Sequence, residues 1–242
     1  MNIGVIFAGG VGKRMNSRVK PKQFIDVYGK PIIIHTLVLF ENHPEIDVIT
    51  VACLEERISY LQELLENFNI NKVKKVVSGG ASGQESIYNG LKAAEEIACG
   101  EKSIVLIHDG VRPLINEKTI TDNIESVKKH GSSITCVKVK ETVLVVAEDN
   151  SIEDVPNRAD TRLARAPQSF YLDEIIEAHR KAIAENKFDF IDSCSMMQYY
   201  GKKLYLIEGP QENIKITTPD DFYTMRALLD AKEEAQIYGL ED

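Results

Sequence analysis

Ile104-Val105-Leu106-Ile107-His108-Asp109-Gly110-Val111-Arg112-Pro113 (residues 104–113) decides the fold, because a wholly apolar run leads there directly into charged and turn residues. A continuous apolar run is typical of a strand that is covered on both faces, as in parallel sheets. Residues 3–7 form a second such run and lead into Ala8-Gly9-Gly10. Ligands of parallel sheets bind beyond the carboxyl ends of the strands, so both loops are candidate sites.

Strands and helices alternate along the rest of the chain. Apolar runs predict strands at 48–53, 73–77, 133–137 and 203–207, and helical periodicity predicts helices at 31–40, 55–68, 82–97, 117–129, 172–185, 189–200 and 219–236. Ser82 followed by Glu85 predicts a capping box at the third helix. The pattern predicts an α/β fold, Rossmann-like and doubly wound, with a mostly parallel sheet and helices on both faces.

The alternation of strand and helix patterns is interrupted between residues 141 and 170. Residues 142–146 favour a strand, residues 148–151 favour a turn, and a polar stretch with few helix formers follows. We expect a protruding β-arm at about residues 141–166, suited to contact with a partner subunit. The chain carries neither internal repeats nor a low-complexity linker, so we expect residues 1–242 to form a single domain with this arm inserted.

Composition restricts the possible partners. The chain has 242 residues and a formal net charge of −8, which argues against non-specific binding to nucleic acid or to an anionic membrane. The four cysteines are scattered without zinc spacing, and no apolar run approaches the roughly 20 residues that cross a bilayer. We therefore expect a soluble cytoplasmic protein with reduced thiols and without nucleic-acid or membrane partners.

The first loop combines glycine with basic residues. Glycines in residues 8–12 let backbone N–H groups approach an anion. The loop is not a P-loop, because Arg14 rather than Ser or Thr follows Lys13, and it lacks the third glycine of a dinucleotide fingerprint. Lys13, Arg14 and Lys22 bring enough positive charge to neutralise a triphosphate. The alternative is a tight turn flanked by solvated basic residues.

Several further motifs follow this loop along the chain, and together they resemble a known enzyme family. The chain is similar to the methylerythritol-phosphate and ribitol-phosphate cytidylyltransferases, from Ile3 to about Leu229. The similarity is carried by the glycine loop, Lys20-Pro21-Lys22-Gln23-Phe24, Gly29-Lys30-Pro31-Ile32, Gly79-Gly80 with Ser86, residues 108–113, Ala166-Pro167-Gln168-Ser169-Phe170, Asp192, and Glu212-Asn213-Ile214-Lys215-Ile216-Thr217. It implies the nucleotide-diphospho-sugar transferase type of fold and transfer of CMP from CTP to a polyol phosphate, with release of pyrophosphate.

The resemblance also implies roles for individual residues. Nucleotide binding falls to Ala8, Gly9, Gly10, Gly12, Lys13, Gly80, Ser86 and Asp109. The catalytic cations are Arg14, Lys22 and Lys215. The polyol phosphate is assigned to Arg112, Thr142, Arg158 and Asp192, of which Thr142 and Arg158 would reach across a homodimer interface. Mg²⁺ or another divalent cation is expected at Asp109, either bound directly by its carboxylate or held only through phosphates and water.

Departures from the family pattern bear on the substrate. Ala8-Gly9-Gly10 and Gly110-Val111 are closer to the pentitol-phosphate branch. Gly83 stands where both branches have an arginine, and Ala166 and Ile191 stand where a threonine is usual. A pocket built for hydroxyl groups discriminates through its polar contacts. These differences favour an alditol phosphate such as ribitol 5-phosphate or arabinitol 5-phosphate, for a cell-wall or capsule precursor, over methylerythritol 4-phosphate of isoprenoid biosynthesis.

Two other functions fit parts of the pattern. A nucleotidyltransferase for another nucleotide or for a sugar 1-phosphate would also use the glycine loop, but residues 167–168 and 213–217 argue against it. A catalytically weak sensor on the same fold is suggested by Gly83 and Ala166. The retained cations argue against a sensor, because loss of at least one phosphate-binding charge would be expected.

Overall fold

The strands and helices are described here from a computed structural model, which covers residues 1–10 and 20–238. The strands are β1 (Asn2–Ala8), β2 (Asp26–Val27), β3 (Lys30–Pro31), β4 (Val48–Cys53), β5 (Val73–Ser78), β6 (Ile104–Asp109), β7 (Ser132–Lys138), β8 (Val145–Val146), β9 (Ile152–Asp154), β10 (Arg162–Tyr171) and β11 (Leu206–Glu208). The helices are α1 (Ile32–Asn42), α2 (Ile58–Asn67), α3 (Gly83–Ala98), α4 (Glu117–His130), α5 (Leu172–Ala184), α6 (Ser193–Tyr199) and α7 (Pro219–Tyr238). None of these helices is long and apolar enough to cross a membrane.

One seven-stranded sheet forms the centre, in the order β11-β7-β10-β6-β1-β4-β5. All neighbouring strands run parallel except β10, which is antiparallel to both β6 and β7. The predicted α/β fold with a mostly parallel sheet is confirmed. β1 and β6 lie side by side, and Phe7 pairs with Asp109, so the glycine loop and the charged residues after β6 emerge at the same edge.

Helices cover both faces of the sheet, as the apolar strands predicted. One buried cluster joins α1, α2 and α4 to one face, and a second joins α3, α5 and α6 to the other. The side chains of β1 alternate between the two faces of the sheet. Ile3 and Val5 therefore lie in the second cluster, whereas Ile6 lies in the first. A third, smaller cluster includes Ile216 and Met225 and attaches α7 near the site edge.

Two helix starts differ from prediction. Ser82 caps α3 by accepting a hydrogen bond from Glu85 N, but the Glu85 carboxylate accepts from Ala81 N rather than from Ser82 N. The predicted capping box is therefore only half formed. The helix predicted to start at residue 189 begins as α6 at Ser193, because Asp192 caps it.

Residues 162–166, the end of the predicted arm, belong to β10, which the sequence analysis did not predict. β10 enters the middle of the sheet, and its pairing with β7 is irregular between Ala164 and Gln168, around a cis Ala166–Pro167 bond. Residues 139–161, between β7 and β10, carry the β8–β9 hairpin and are called the β8–β9 arm below.

Candidate active site

Two adjoining cavities lie at the carboxyl edge of β1 and β6. The first, of about 580 Å³, is lined by the end of β1, residues 22–23 and residues 80–83, and is called the loop cavity. The second, of about 290 Å³, is lined by residues 164–166 and Gln168 of β10 and by residues 190–193, and is called the β10 cavity. Four residues line both: Phe7, Gly83, Asp109 and Lys215. A molecule that occupied one cavity would therefore meet a molecule in the other at this boundary.

Tight backbone packing forms the wall of the loop cavity. A Cβ on Gly9 would lie 2.6 Å from Ser86 Oγ, so only glycine fits at this position without rearrangement. The Ser86 hydroxyl donates to Ser82 O (2.9 Å) and accepts from Gly80 N (3.0 Å). Ser86 thus holds residues 80–82 against the first loop.

Lys22 reaches the loop cavity because its neighbour is anchored. Gln23 is buried and donates from Nε2 to Ala8 O at 2.6 Å, which ties the short 3₁₀ turn Lys22–Phe24 to the end of β1. Ala8, Gly9, Gly10 and Lys22 all line this cavity. The predicted site residues Gly12, Lys13 and Arg14 lie outside the described residues.

Asp109 is the centre of an ion-pair network between the two cavities. Its carboxylate accepts from Arg112 Nε (2.8 Å) and pairs with Lys215 Nζ. Arg112 also donates from Nη1 to Asn213 O at 2.9 Å. Burial alone would raise the pKa of Asp109, but the two cations outweigh it and hold that pKa below its ordinary value. The carboxylate is therefore ionised and keeps both cations in place.

Residues 213–216 are brought to β6 by backbone pairing. Ile216 N donates to Val111 O (2.9 Å), and Asn213 Nδ2 donates to Ala166 O (2.6 Å). Lys215 Nζ consequently lies 5.8 Å from the centre of the Phe7 ring, within the range of a cation–π contact. A segment about 100 positions along the chain from β6 thus completes the site.

His108 has a structural role. It is fully buried, and burial lowers its pKa to about 4, so the ring is neutral near pH 7. Nε2 lies 3.0 Å from Arg112 O and must carry the ring proton, because a carbonyl oxygen can only accept. The histidine therefore supports the turn that presents Arg112.

Asp192 lies in the β10 cavity but is engaged by the protein. Its Oδ1 accepts from Ser195 N (2.8 Å) and its Oδ2 accepts from Gln168 Nε2 (2.7 Å). Gln168 Oε1 in turn accepts from Cys194 N (2.8 Å). The motif around Pro167 thereby joins β10 to the start of α6 and shapes the wall of the cavity.

Two predicted substrate residues are not brought to this site within one chain. Thr142 and Arg158 are exposed on the β8–β9 arm and line neither cavity. Arg158 Nη1 donates to Lys140 O at 3.1 Å, within the arm itself. Arg165 also lines the β10 cavity, and the sequence analysis missed it. The motif that was identified begins at Ala166, and a single arginine before it follows no recognisable pattern.

The described residues offer a divalent cation part of a ligand shell, which a bound substrate could complete. In the described part of the chain, no three His, Cys, Asp or Glu side chains cluster as a metal site. Asp109 is the carboxylate shared by both cavities, and its oxygens already face two cations. Mg²⁺ commonly takes one or two carboxylates and completes its shell with phosphate oxygens and water. The residues present fit an ion that arrives with a triphosphate.

The sequence matches the IspD family, described as 2-C-methyl-D-erythritol 4-phosphate cytidylyltransferase, over residues 3–231. It is 54% identical over 240 residues to a ribitol-5-phosphate cytidylyltransferase of Streptococcus agalactiae, covering 99% of this chain and 100% of the relative. It is 39% identical over 229 residues to a 2-C-methyl-D-erythritol 4-phosphate cytidylyltransferase of Clostridium botulinum, covering 95% and 97%.

A solved structure, the 4-diphosphocytidyl-2C-methyl-D-erythritol synthase of Anaerococcus prevotii, superposes with a TM-score of 0.82 at 28% identity, covering 95% of this chain and 96% of that one. The match of fold and sequence extends over both cavities and over the motifs predicted from the sequence. This chain is a nucleotidyltransferase and belongs to the IspD family of cytidylyltransferases.

Proposed function

We propose that the enzyme transfers CMP from CTP to a pentitol phosphate, with ribitol 5-phosphate favoured, and so forms a CDP-alditol and pyrophosphate. The observation that carries this choice is the identity of 54% to a relative named for ribitol 5-phosphate, against 39% to a relative named for methylerythritol phosphate. Ala166 and Ile191, which both line the β10 cavity, support the same choice because they remove hydroxyl groups usual in the family.

A second candidate substrate is 2-C-methyl-D-erythritol 4-phosphate. It is favoured by the description of the matching family and by the function named for the superposed structure. Both candidates are polyol phosphates, so the same two cavities and the same reaction serve either one. The choice depends on the polyol portion of the substrate.

The loop cavity is the proposed CTP site. Its wall consists of Ala8, Gly9, Gly10, Gly80 and Ser86, whose close packing exposes backbone groups that can read a base. Lys22 at one side and Lys215 at the boundary would neutralise the triphosphate. Lys13 and Arg14, which follow the glycines in sequence, would add positive charge, and Gly12 would offer its backbone N–H. Positioning and charge neutralisation are what nucleotidyl transfer requires most.

The polyol phosphate would enter the β10 cavity and present its phosphate at the boundary. Arg112 and Asp192 line this cavity, and Asp109 and Lys215 separate it from the loop cavity. An oxygen of the polyol phosphate attacks the α-phosphorus of CTP, and the bond from that phosphorus to the oxygen that bridges to the β-phosphate breaks. The electron pair leaves with pyrophosphate. The attacking phosphate is already ionised, so the reaction needs no general base and the neutral His108 fits this scheme.

Mg²⁺ is the proposed cofactor. Bound to the triphosphate, it would withdraw charge from the phosphate oxygens and from the leaving pyrophosphate. Asp109 is the residue that would face it, directly or through water, and its carboxylate also pairs with Lys215, which would act at the α-phosphate. The pairing of Asp109 with Lys215 therefore links the metal side of the site to the cation proposed to act in catalysis.

We further propose a homodimer in which the β8–β9 arm completes the partner's site. The arm exposes apolar side chains that a monomer leaves in water: Leu144, Val145, Val146, Ile152 and Val155 are each 40–60% exposed. Thr142 and Arg158 lie on the same arm, away from their own chain's cavities. Docking of the arm on a second copy would bury the apolar residues and deliver both polar ones to a substrate. We place this enzyme in the cytoplasm, where CTP is available.

The test is pyrophosphate release from CTP and Mg²⁺ with ribitol 5-phosphate, arabinitol 5-phosphate, methylerythritol 4-phosphate and sugar 1-phosphates. We expect the highest kcat/KM with ribitol 5-phosphate. A clear preference for methylerythritol 4-phosphate would reject the pentitol assignment but keep the reaction. Activity only with sugar 1-phosphates, or with none of the panel, would reject the proposed function.

A further inference from the structure

Arg165 is a cation in the β10 cavity that forms no ion pair with any residue the structure describes. It lies on β10, half buried, and lines this cavity with Arg112 and Asp192. Its Nε is buried and has no hydrogen-bond partner among the described residues. Burial lowers its pKa from the ordinary value, and the charge of Arg112 lowers it further, with no carboxylate acting in the opposite direction. A buried donor without a partner is unusual and calls for a ligand or a functional reason.

The other charged and amide side chains of this cavity are already satisfied by the protein. Asp109 pairs with Arg112 and Lys215, and both oxygens of Asp192 accept hydrogen bonds. Gln168 uses both ends of its amide on Asp192 and on Cys194 N, and Gln84 uses both ends on Lys187 O and Phe190 N. Arg165 differs from these side chains, because the described residues give it neither a hydrogen bond nor an ion pair.

A count of charges leads to the same residue. Among the described residues that line the cavity, three are cations (Arg112, Arg165, Lys215) and two are carboxylates (Asp109, Asp192). His179 adds no charge near pH 7, because burial lowers its pKa to about 4. Arg112 and Lys215 share Asp109, and Asp192 accepts its hydrogen bonds from the neutral donors Gln168 Nε2 and Ser195 N. The cavity therefore keeps a net positive charge, and none of its described carboxylates is paired with Arg165. A half-buried guanidinium without a counter-ion is stabilised by an anionic ligand far more than by a neutral hydroxyl.

We propose that Arg165 is a further binding residue of the site and contacts the phosphate of the acceptor substrate; this inference rests on the proposed function of the β10 cavity. Arg112 has Nε and Nη1 committed to Asp109 and Asn213, so its main task is to hold that network. Arg165 has its planar donors available for two phosphate oxygens. The residue therefore recognises the group that the acceptor must bring to the boundary with CTP.

The experiment compares Arg165→Gln and Arg165→Lys with the unaltered enzyme. Ribitol 5-phosphate is varied at saturating CTP, and CTP is then varied at saturating ribitol 5-phosphate. We expect Arg165→Gln to raise the KM for ribitol 5-phosphate by about ten- to a hundredfold, because a charge-assisted contact is lost, while the KM for CTP changes by less than about twofold. Arg165→Lys keeps the charge and should recover part of the affinity. The matched control is Arg180→Gln, on the exposed face of α5 where it pairs with Glu95, and both KM values should stay unchanged.

A second measurement does not depend on turnover. Inorganic phosphate should raise the Tm of the unaltered protein, and this increase should be smaller for Arg165→Gln but not for Arg180→Gln. An unchanged KM for ribitol 5-phosphate together with an unchanged phosphate effect would overturn the proposal, as would an equal rise in both KM values. If the unaltered enzyme were inactive with every polyol phosphate, the proposed function would fail, and the phosphate effect on Tm would then decide the role of Arg165 alone.

Discussion

The carboxyl edge of the sheet (residues 108–112 and 213–216) and the β8–β9 arm (residues 139–161) both carry proposed substrate contacts, yet they are built differently. At the sheet edge, hydrogen bonds join distant parts of the chain: Arg112 to Asn213, 101 positions apart, and Asn213 to Ala166, 47 positions apart. In the arm the hydrogen bonds are mostly local, such as those from Ser151 to Asp149 and from Thr161 to Asn157.

Burial follows the same division. Asp109, Arg112 and Asn213 are buried, so their geometry is held by the fold of one chain. Val146 and Ile152 on the arm are 55% and 60% exposed. The comparison indicates that the fold of one chain holds the residues of the sheet edge, whereas the described contacts of the arm are mostly local. A partner surface that would hold the arm's side chains is part of the dimer proposed above. The predictions below test this difference.

Replacement of Lys215 by alanine should have the largest effect. The lysine is the proposed cation at the α-phosphate, and preorganised charges of this kind contribute about 10²–10³-fold to kcat. Steady-state kinetics with CTP and ribitol 5-phosphate should show that loss. Lys118→Ala, on an exposed face of α4, is the matched control and should leave kcat unchanged. A kcat within about threefold of normal for Lys215→Ala would remove Lys215 from the catalytic residues.

Gly90→Ala should destabilise the sheet without touching the site. An added Cβ at Gly90 would lie 2.8 Å from Val5 Cγ1, where α3 packs on β1. Overpacking of this kind costs about 1–3 kcal/mol, whereas replacing glycine by alanine within a helix gains at most about 1 kcal/mol in helix propensity. The net change should therefore be a loss of stability. Denaturant unfolding measures the change. Gly83→Ala in the same helix is the control, since nothing lies within 4 Å of its added Cβ. Equal stability of the two variants would contradict the packing argument.

Arg158→Ala should have the smallest effect on the fold. Its side chain is exposed, so the free energy of unfolding should change by less than about 0.5 kcal/mol. The KM for the polyol phosphate should rise by about tenfold, because the proposed contact to the partner's substrate is charge-assisted. Arg162→Ala is the control, since Arg162 likewise donates to backbone carbonyls of the arm and has no proposed substrate role.

Mixed dimers sharpen this last prediction. A dimer of one Arg158→Ala chain and one Lys215→Ala chain retains one complete site if the arm serves the partner, so mixing the two inactive or weakened variants should restore activity at low polyol phosphate. Activity that stays at the sum of the separate variants would reject the shared site, and so would a protein that remains monomeric in light scattering.

Local patterns in the sequence predicted much of the fold. Alternating apolar runs and helical periodicity gave the parallel strands and the covering helices, because burial on two faces leaves a periodic signal within a few residues. The placement of Asp109 and of the glycine loop at one sheet edge also followed, since parallel strands end on the same side. The motifs also indicated the cytidylyltransferase family, because their residues and their order can be read from the sequence without knowledge of the fold.

Only the tertiary structure decided the rest. β10 was not predicted as a strand, because Arg165, Ala166 and Pro167 carry no strand periodicity and the pairing that stabilises β10 comes from β6 and β7, which are distant in sequence. The sequence also could not predict the Arg112–Asp109–Lys215 network or the absence of an ion pair at Arg165 among the described residues. A cation in a sequence does not show whether folding provides its counter-ion. Local periodicity thus determined most of the strands and helices. Contacts between distant parts of the chain determined which cations are paired within the protein and which remain available to a substrate.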